Sequence, residues 1–280
     1  MPAPLLVLAA ASSVQFGAAI AATLFDDLGP AGTSVLRVGL GAVILLAIWR
    51  PRVRGLARED LRLVFWLGLT LGVMNYSFYE AIDRIPLGIA VTIEFAGPLG
   101  VAVVLSRRRL DLLWVTLAVG GILLLADPGG DSVDPTGLAL VLIAAAAWAA
   151  YILLAARAGS RFTGGRGLAL AMIVASLVPL VPGIAEAGGE LLVPEFLALG
   201  AAVALLSSVI PYSLEMEALR RIPRHVFGVL MSMEPALAAL AGFVILDQAL
   251  GTRELLAIGL VIAASIGVTR SSRSAPLIDG

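Results

Sequence analysis

The chain has 280 residues, of which 60% are hydrophobic and only 14% charged, with a net charge of -1. This composition excludes an ordinary soluble domain. The absence of cysteine excludes disulfides, thiol nucleophiles and thiolate metal sites. The sequence carries no phosphate loop, dinucleotide fingerprint or Ser/His/Asp set, so we expect no cofactor, no metal, no nucleic-acid partner and no enzymatic activity.

The apolar residues form ten blocks separated by short polar breaks. The blocks run approximately over residues 5–25, 31–49, 61–79, 87–106, 112–126, 136–156, 167–185, 196–214, 226–246 and 255–269. Most match the ~20 residues that a helix needs to cross ~30 Å of hydrocarbon. The pattern predicts an all-α membrane protein with ten transmembrane helices. The fifth and tenth blocks are the short ones, which favours a division into five plus five.

The chain also repeats itself at an offset of 137 residues. The matched positions are Glu80, Arg84, Pro86 and Pro98 in the first half, and Glu217, Arg221, Pro223 and Pro235 in the second. The two turns differ in basic charge, which is typical of halves inserted in opposite directions, as in many secondary transporters. We expect two inverted five-helix repeats, at residues 1–128 and 134–270, followed by a cytoplasmic tail at residues 271–280.

The arginines predict the orientation of these helices. Sixteen of the 19 basic residues, all of them arginine, follow even-numbered blocks, whereas the alternate loops hold only Arg84 and Arg253. Loops rich in arginine lie on the cytoplasmic side of a membrane. The distribution therefore predicts a multi-pass protein with both termini in the cytoplasm.

Three charged residues, Arg37, Glu94 and Glu234, lie deep within apolar blocks. A charge at mid-helix costs ~2.5–3.5 kcal/mol on insertion, whereas each large apolar residue returns only ~0.3–0.6 kcal/mol. These side chains must therefore face protein or water. One interpretation is a structural ion pair of Arg37 with Glu94 or Glu234. The other is that the glutamates line a central cavity, bind the charged groups of a solute, and are candidates for exchanging a proton during transport.

Prolines interrupt three of the apolar blocks, at Pro98, Pro211 and Pro235. Each lacks an amide proton and strains against the carbonyl four residues earlier, so we expect a broken helix at each position. The alternative, above all for Pro211, is a simple kink that serves helix packing. At membrane depth, irregular backbone is tolerated chiefly where it is buried in protein or lines a cavity. For Pro211 this spacing predicts that the freed carbonyl is that of Ser207.

Other polar side chains recur at helical spacing, which places the members of each set on one face of a helix. We expect these faces to line the same cavity as the charged residues. The predicted substrate-binding residues are Gln15, Arg37, Asn75, Tyr79, Glu94, Trp148, Tyr151, Ser208, Tyr212 and Glu234, and the helix-breaking ones are Pro98, Pro211 and Pro235. Glu215 continues the stripe of Ser208 and Tyr212, but near the end of its block.

Five segments combine polar or proline residues with an apolar background. They are Gly72-Val-Met-Asn75-Tyr76-Ser-Phe-Tyr79, Ile85 to Leu99, Pro211 to Met216, Met231-Ser-Met-Glu234-Pro235-Ala-Leu-Ala-Ala and Leu256 to Gly259. Together they resemble the EamA-type drug/metabolite transporter superfamily. The resemblance implies two inverted repeats and a central cavity walled by spans one, three, four, six, eight and nine. It also implies efflux of small amino acids, such as threonine and homoserine, through the bacterial inner membrane.

On this basis we expect a monomeric or homodimeric exporter in the lipid bilayer that works by alternating access. Its solute would be a small zwitterionic amino acid, with the ammonium group at Glu94 or Glu234. Arg37, tyrosine or amide donors and the freed backbone ends would bind the carboxylate and the hydroxyl. Trp148 and Tyr151 would shape the side-chain pocket. The alternative is an exporter of drugs or hydrophobic cations, which acidic groups in an aromatic cavity suit, although Arg37 argues against it.

Overall fold

The computed structural model describes residues 2–105, 110–125, 134–219, 221–222 and 224–271. Throughout these residues the secondary structure is helical, as the composition predicts. The α-helices are α1 (Ala3–Ala22), α2 (Phe25–Trp49), α3 (Arg58–Ile82), α4 (Leu87–Glu94), α5 (Ala96–Leu105), α6 (Leu110–Leu125), α7 (Pro135–Arg161), α8 (Arg166–Leu177), α9 (Leu180–Ala187), α10 (Pro194–Ala204), α11 (Ile210–Leu219), α12 (Arg224–Met231), α13 (Glu234–Leu246) and α14 (Thr252–Ser271). A 3-10 turn (Gly188–Leu192) precedes α10, and a π-helical turn (Leu205–Val209) joins α10 to α11.

Within the described residues, six helical stretches are long and apolar enough to cross a membrane. They are Ala3–Ala22, Phe25–Trp49, Arg58–Ile82, Pro135–Arg161, Pro194–Glu215 and Val226–Leu246. A seventh span is formed if the segments Arg166–Leu177 and Leu180–Leu192, which are bent by 51°, count as one. Two shorter apolar stretches cover Leu87–Val101 and Thr116–Leu125. The chain is thus a helical membrane protein, and the exact count of ten spans stays a prediction.

A break near the start of α2 is capped by a side chain from α9. Gly29 has φ +68°, a left-handed conformation that glycine adopts without strain, and Pro30 follows it. One oxygen of the Glu186 carboxylate accepts a hydrogen bond from the N–H of Ala31 at 2.9 Å. The hydroxyl of Thr33 donates to the Gly29 carbonyl at 2.9 Å. The backbone groups exposed by the break are therefore satisfied, one of them by Glu186.

The π-helical turn explains how the chain accommodates Pro211. The N–H of Ile210 bonds to the carbonyl of Leu205, five residues earlier. In this register the carbonyl that Pro211 leaves without a backbone donor is that of Leu206, and not that of Ser207 as α-helical spacing predicts. The hydroxyl of Ser13 on α1 donates to the Leu206 carbonyl at 2.6 Å. The freed group is thus satisfied by a neighbouring helix.

Helix boundaries recur at the offset seen in the sequence. The bounds of α4 and α12 differ by 137 residues at both ends, and α3 and α11 end at Ile82 and Leu219, again 137 apart. In both halves the helix breaks just before a proline, since α5 begins two residues ahead of Pro98 and α13 one residue ahead of Pro235. The repeated sequence therefore has a repeated pattern of helix breaks.

The two matching half-helices lie in different surroundings. All eight residues of α4 are buried, whereas residues 226–231 of α12 are all partly exposed. Gly88 brings α4 against α13, because a Cβ atom at Gly88 would lie 2.8 Å from the Cα atom of Ala239. By contrast, α12 packs on α1 and α14. α4 is therefore enclosed by its neighbours, whereas α12 is partly exposed at the surface of the bundle.

The first helix of each half packs into the other half. α1 contacts α11 and α13, and α7 contacts α3, α4 and α5. α2 packs against α8 and α9, and α6 packs against α14. The main buried core runs along α3 and α4 and includes Phe78, Tyr79 and Ile93. This interlocked arrangement surrounds a space near the middle of the bundle.

Candidate functional site

The candidate site is a cavity of about 200 Å³ between α1, α2, α3, α4, α7, α11, α12 and α13. Its lining combines charged, polar and aromatic side chains. The lining residues are Val14, Gln15, Ala18, Arg37, Met74, Asn75, Phe78, Val91, Glu94, Trp148, Tyr151, Ser207, Pro211, Glu215, Met231 and Glu234. The helix breaks at Glu94, Pro211 and Glu234 lie against this space.

Most of the residues predicted for the site lie on the wall of this cavity. Gln15, Arg37, Asn75, Glu94, Trp148, Tyr151 and Glu234 line it, and so does Pro211.

Tyr79 is fully buried behind the cavity wall, where its ring lies under the guanidinium of Arg37. Ser208 is buried without lining the cavity, and its neighbour Ser207 lines it instead. Pro98 and Pro235 lie at the starts of α5 and α13, outside the lining. Tyr212 lies on α11, but its side chain is outside the described part of the structure.

Arg37 is held by an aromatic ring. Its guanidinium carbon lies 5.0 Å from the centroid of the Tyr79 ring, a cation–π contact, and the Tyr79 ring packs against Phe25 at 5.7 Å. Arg37 and Glu94 attract each other electrostatically. Among the described side chains, however, no carboxylate oxygen lies within 4.0 Å of the Arg37 guanidinium. Arg37 thus forms no direct ion pair with Glu94 or Glu234 in this structure.

Three carboxylates share the cavity with Arg37. Glu94 and Glu234 are 8% and 5% exposed, and Glu234 is close enough to both Glu94 and Glu215 to be repelled by them. Sequence reasoning left Glu215 out of the site because it falls near the end of its block. The signal that identifies it is its position four residues after Pro211, one helical turn along the same face.

Further contacts orient the uncharged groups. The Trp148 ring meets Phe95 edge to face, with centroids 5.3 Å apart. The Asn75 side-chain amide donates to the Leu71 carbonyl at 2.8 Å, which leaves its carbonyl oxygen for a ligand. Packing thus fixes the indole and a hydrogen bond fixes the amide. Preformed geometry of this kind lowers the entropy cost of binding.

Two of the lining residues each have a buried side-chain oxygen without a hydrogen-bond partner among the described residues. They are Oε1 of Gln15 and Oγ of Ser207. An unsatisfied buried polar group costs about 1–3 kcal/mol. In contrast, the described residues include no group of three or more His, Cys, Asp or Glu side chains arranged to hold a metal ion. The cavity is therefore equipped for hydrogen bonding and charge recognition.

A helical membrane protein with charged groups around a cavity at broken helices has the architecture of a secondary transporter. The chain belongs to the EamA-like transporter family, whose model matches residues 135–270. This confirms the resemblance expected from the sequence.

Proteins with similar sequences match this chain over nearly its whole length. The chain is 47% identical to "Threonine/homoserine exporter RhtA" of Salmonella typhimurium (strain SL1344), over 98% of this chain and 93% of that protein. The protein of the same name from Escherichia coli (strain K12) is also 47% identical, over 96% and 91% of the two chains. "Uncharacterized inner membrane transporter YedA" of Escherichia coli (strain K12) is 27% identical, over 92% and 86%.

A solved crystal structure shares the fold. It aligns with 97% of each chain at a TM-score of 0.62 and 18% sequence identity. The helical fold is thus one already observed in an experimentally determined structure.

Proposed function

We propose that this protein exports small amino acids, threonine and homoserine among them, across a bacterial inner membrane by alternating access. The proposal depends above all on one observation: a guanidinium and carboxylates line the same buried cavity. A zwitterionic amino acid needs both signs of charge, and lipid rejects each of them. The 47% identity to two threonine/homoserine exporters supports the same solute class.

The size of the cavity also supports a small solute. It holds about 200 Å³, whereas sites for drug-sized molecules run to roughly 300–1,000 Å³. In the proposed complex Glu94 or Glu234 binds the ammonium group, Arg37 binds the carboxylate, and Trp148 and Tyr151 form the wall beside the side chain. A charge-assisted hydrogen bond contributes about 1.5–3 kcal/mol, so each ionic contact is a substantial part of the affinity.

Charge balance favours proton coupling. With three carboxylates and one guanidinium ionised, the cavity has two uncompensated negative charges, and a zwitterion adds no net charge. Uncompensated charge away from water is strongly unfavourable. In the proposed cycle a proton therefore moves on and off Glu94 or Glu234 as the solute is exchanged.

The proposed topology has ten spans in two inverted repeats, residues 1–128 and 134–270, with residues 271–280 as a cytoplasmic tail. The matching bounds of α4 and α12 support the repeat. Each proposed repeat has five spans, an odd number, so the chain would end the first repeat on the opposite side of the membrane. The second repeat would therefore be inserted in the inverted orientation. The arginine-rich loops support a cytoplasmic position for both termini.

The test is counterflow into proteoliposomes containing the purified protein, with radiolabelled threonine and a panel of amino acids and lipophilic cations as competitors. Threonine and homoserine are expected to exchange. Glu94→Gln and Glu234→Gln are each expected to reduce exchange by roughly tenfold to a hundredfold, the equivalent of one charge-assisted hydrogen bond. Glu59→Gln is the control, because Glu59 is exposed and pairs with Arg161 at the surface.

Competition by lipophilic cations in the absence of any amino-acid exchange would favour the drug-exporter alternative. Proton coupling is tested separately, by imposing a pH gradient on the same vesicles. If the double variant Glu94→Gln, Glu234→Gln retained the proton dependence of the wild-type protein, neither glutamate would be the coupling group.

A further inference from the structure

The cavity contains two polar groups that the binding of a bare amino-acid backbone does not use. Gln15 and Ser207 are 3% and 7% exposed, and Oε1 of Gln15 and Oγ of Ser207 have no hydrogen-bond partner among the described residues. Both residues line the cavity. Polar groups this deeply buried are nearly always paired in folded proteins. Of the five buried side-chain atoms without a partner among the described residues, these are the two whose residues line the cavity, so a ligand bound there would supply the missing partners.

Neighbouring backbone elements position the two groups. Gln15 lies on α1, and Ser207 lies in the π-helical turn that packs against α1. The hydrogen bond from the Ser13 hydroxyl to the Leu206 carbonyl, at 2.6 Å, joins these elements beside the cavity. Gly17 permits the close approach, because a Cβ atom there would collide with Oγ of Ser207 and lie 3.3 Å from the backbone nitrogen of the same residue. The position of the pair is therefore set by the backbone.

The chemistry of the pair matches one aliphatic hydroxyl group. The Oε1 atom of Gln15 accepts a hydrogen bond, and the hydroxyl of Ser207 both donates and accepts. A hydroxyl on the ligand would donate to Gln15 and accept from Ser207. Neither group carries a charge, so neither competes with Arg37 or the glutamates for the ionic ends of an amino acid.

We propose that Gln15 and Ser207 bind the side-chain hydroxyl of the transported amino acid and make the protein selective for hydroxyl-bearing solutes. The inference rests on the proposed function. It assigns Ser207, which sequence reasoning did not select, to specificity. A site that hydrogen-bonds a solute hydroxyl binds an analogue without that hydroxyl much more weakly. In this case the side chains of Gln15 and Ser207 would then stay buried without a partner.

The experiment measures the counterflow KM of threonine against two analogues. One is 2-aminobutyrate, which has hydrogen in place of the hydroxyl, and the other is valine, which has a methyl group there. The wild-type protein is expected to prefer threonine by roughly tenfold to a hundredfold, the range expected for one or two unpaired buried groups. Serine against alanine provides a second pair with a smaller side chain.

Ser207→Ala and Gln15→Met are each expected to reduce this preference by about tenfold, the effect of one lost hydrogen bond in a dry site. The change should come from a higher KM for threonine, with the KM for 2-aminobutyrate unchanged or lower. Ser207→Cys, which retains a weak donor of similar size, is expected to show an intermediate loss.

Ser34→Ala is the matched control, because its hydroxyl is also buried without a partner but lies outside the cavity lining. It should leave the ratio of the two KM values unchanged. Size-exclusion chromatography of each variant checks folding. Should Ser207→Ala fail to fold, Ser207→Cys and Gln15→Met provide the same readout.

Unchanged preference in the variants, or an equal rise in KM for threonine and 2-aminobutyrate, would overturn the hydroxyl assignment while amino-acid export stands. An absence of exchange for threonine, 2-aminobutyrate and valine alike in the wild-type protein would instead overturn the proposed function. The two failures are thus distinguishable in one assay.

Discussion

Tyr79 supports Arg37 through its ring. The guanidinium carbon lies 5.0 Å from the ring centroid, whereas the tyrosine Oη atom is buried without a hydrogen-bond partner among the described residues. The ring contact is worth about 0.5–2 kcal/mol. The hydroxyl makes no hydrogen bond of normal geometry, but it lies close enough to the Arg37 guanidinium to interact with it electrostatically. Ring and hydroxyl therefore make separable contributions at this position.

Replacement of Tyr79 separates these contributions. Tyr79→Leu removes the cation–π contact and is expected to raise the KM for threonine by roughly threefold to thirtyfold, in line with the energy of that contact. Tyr79→Phe retains the ring, so its effect on KM should be much smaller. Counterflow on both variants is the measurement. A large KM increase in Tyr79→Phe would mean that the hydroxyl holds Arg37 after all.

Single charged residues were the most predictable part of the site. Glu94, Glu234 and Arg37 lie in apolar segments, and the cost of exposing a charge to lipid is enough to predict that they turn inward. Whether two such residues pair directly depends on distances of a few ångströms between different helices. The sequence left an ion pair and a ligand site open for Arg37, and only the three-dimensional structure shows Tyr79 as its contact.

At the scale of helices, the contact of α4 with α13 depends on Gly88. A Cβ atom at this position would lie 2.8 Å from the Ala239 Cα atom, and backbone atoms cannot turn aside. Gly88→Ala adds up to about 1 kcal/mol of helix propensity, but forcing two packed helices apart costs about 1–3 kcal/mol. We expect Gly88→Ala to lower both thermal stability and export.

The control for this prediction is Gly100→Ala on α5, where nothing lies within 4 Å of the added Cβ atom. Gly100→Ala gains the same helix propensity as Gly88→Ala, but its added Cβ atom does not collide with a neighbouring helix. Thermal unfolding in detergent and counterflow measure the two effects. Equal stability of the two variants would show that α4 and α13 can separate at no cost.

The π-helical turn predicts that the Ser13 hydroxyl contributes to stability. Ser13→Ala removes the donor to the Leu206 carbonyl and leaves that group unpaired beside Pro211. We expect a loss of about 1–3 kcal/mol in stability, measured as a lower midpoint of thermal unfolding. Ser176→Ala is the comparison, since its hydroxyl makes only an exposed bond within its own helix. Similar midpoints for the two variants would count against a role for Ser13.

The same turn marks the limit of prediction from sequence. Pro211 predicts a break in the helix, but two faces of that helix satisfy helical spacing. One contains Ser208 and Tyr212 and the other Ser207 and Pro211. Glu215 fits either face. The choice depends on how the backbone absorbs the missing amide. A π-helical turn places Ser207 in the cavity wall, and no residue in the sequence distinguishes that solution from a simple kink.

At the scale of the whole molecule, the unequal burial of α4 and α12 predicts different access from water. Ala90 is 0% exposed, and its counterpart 137 residues later, Phe227, is partly exposed. Because the chain has no cysteine, Ala90→Cys and Phe227→Cys each place a single thiol. We expect a water-soluble maleimide to react much faster at position 227.

Sidedness is read from the same variants. Phe227→Cys should react in inside-out membrane vesicles and stay protected in intact cells, because the adjoining arginines predict a cytoplasmic position. Equal reaction at positions 90 and 227 would contradict an opening at the α12 end. Labelling of position 227 from outside cells would reverse the proposed orientation.

The all-helical membrane fold could be predicted from composition, and the positions of two helix breaks from the repeated sequence. Apolar length predicts helices, and the recurrence of Pro98 as Pro235 predicts matching breaks, which the bounds of α4 and α12 bear out. The difference in burial between those two helices could not be predicted, because matching segments have similar local preferences. It arises from tertiary packing, which depends on the state the molecule occupies.

The exchange of first helices has a consequence for how the molecule moves. Because α1 packs into the second half and α7 into the first, swinging one half away from the other would strip both helices of most of their neighbours. A movement that keeps α1 packed on α11 and α13, and α7 packed on α3 and α5, would break fewer packing contacts. In the proposed alternating-access motion, each moving body would therefore combine helices from both sequence repeats, and the expected boundary between the repeats would not be the hinge.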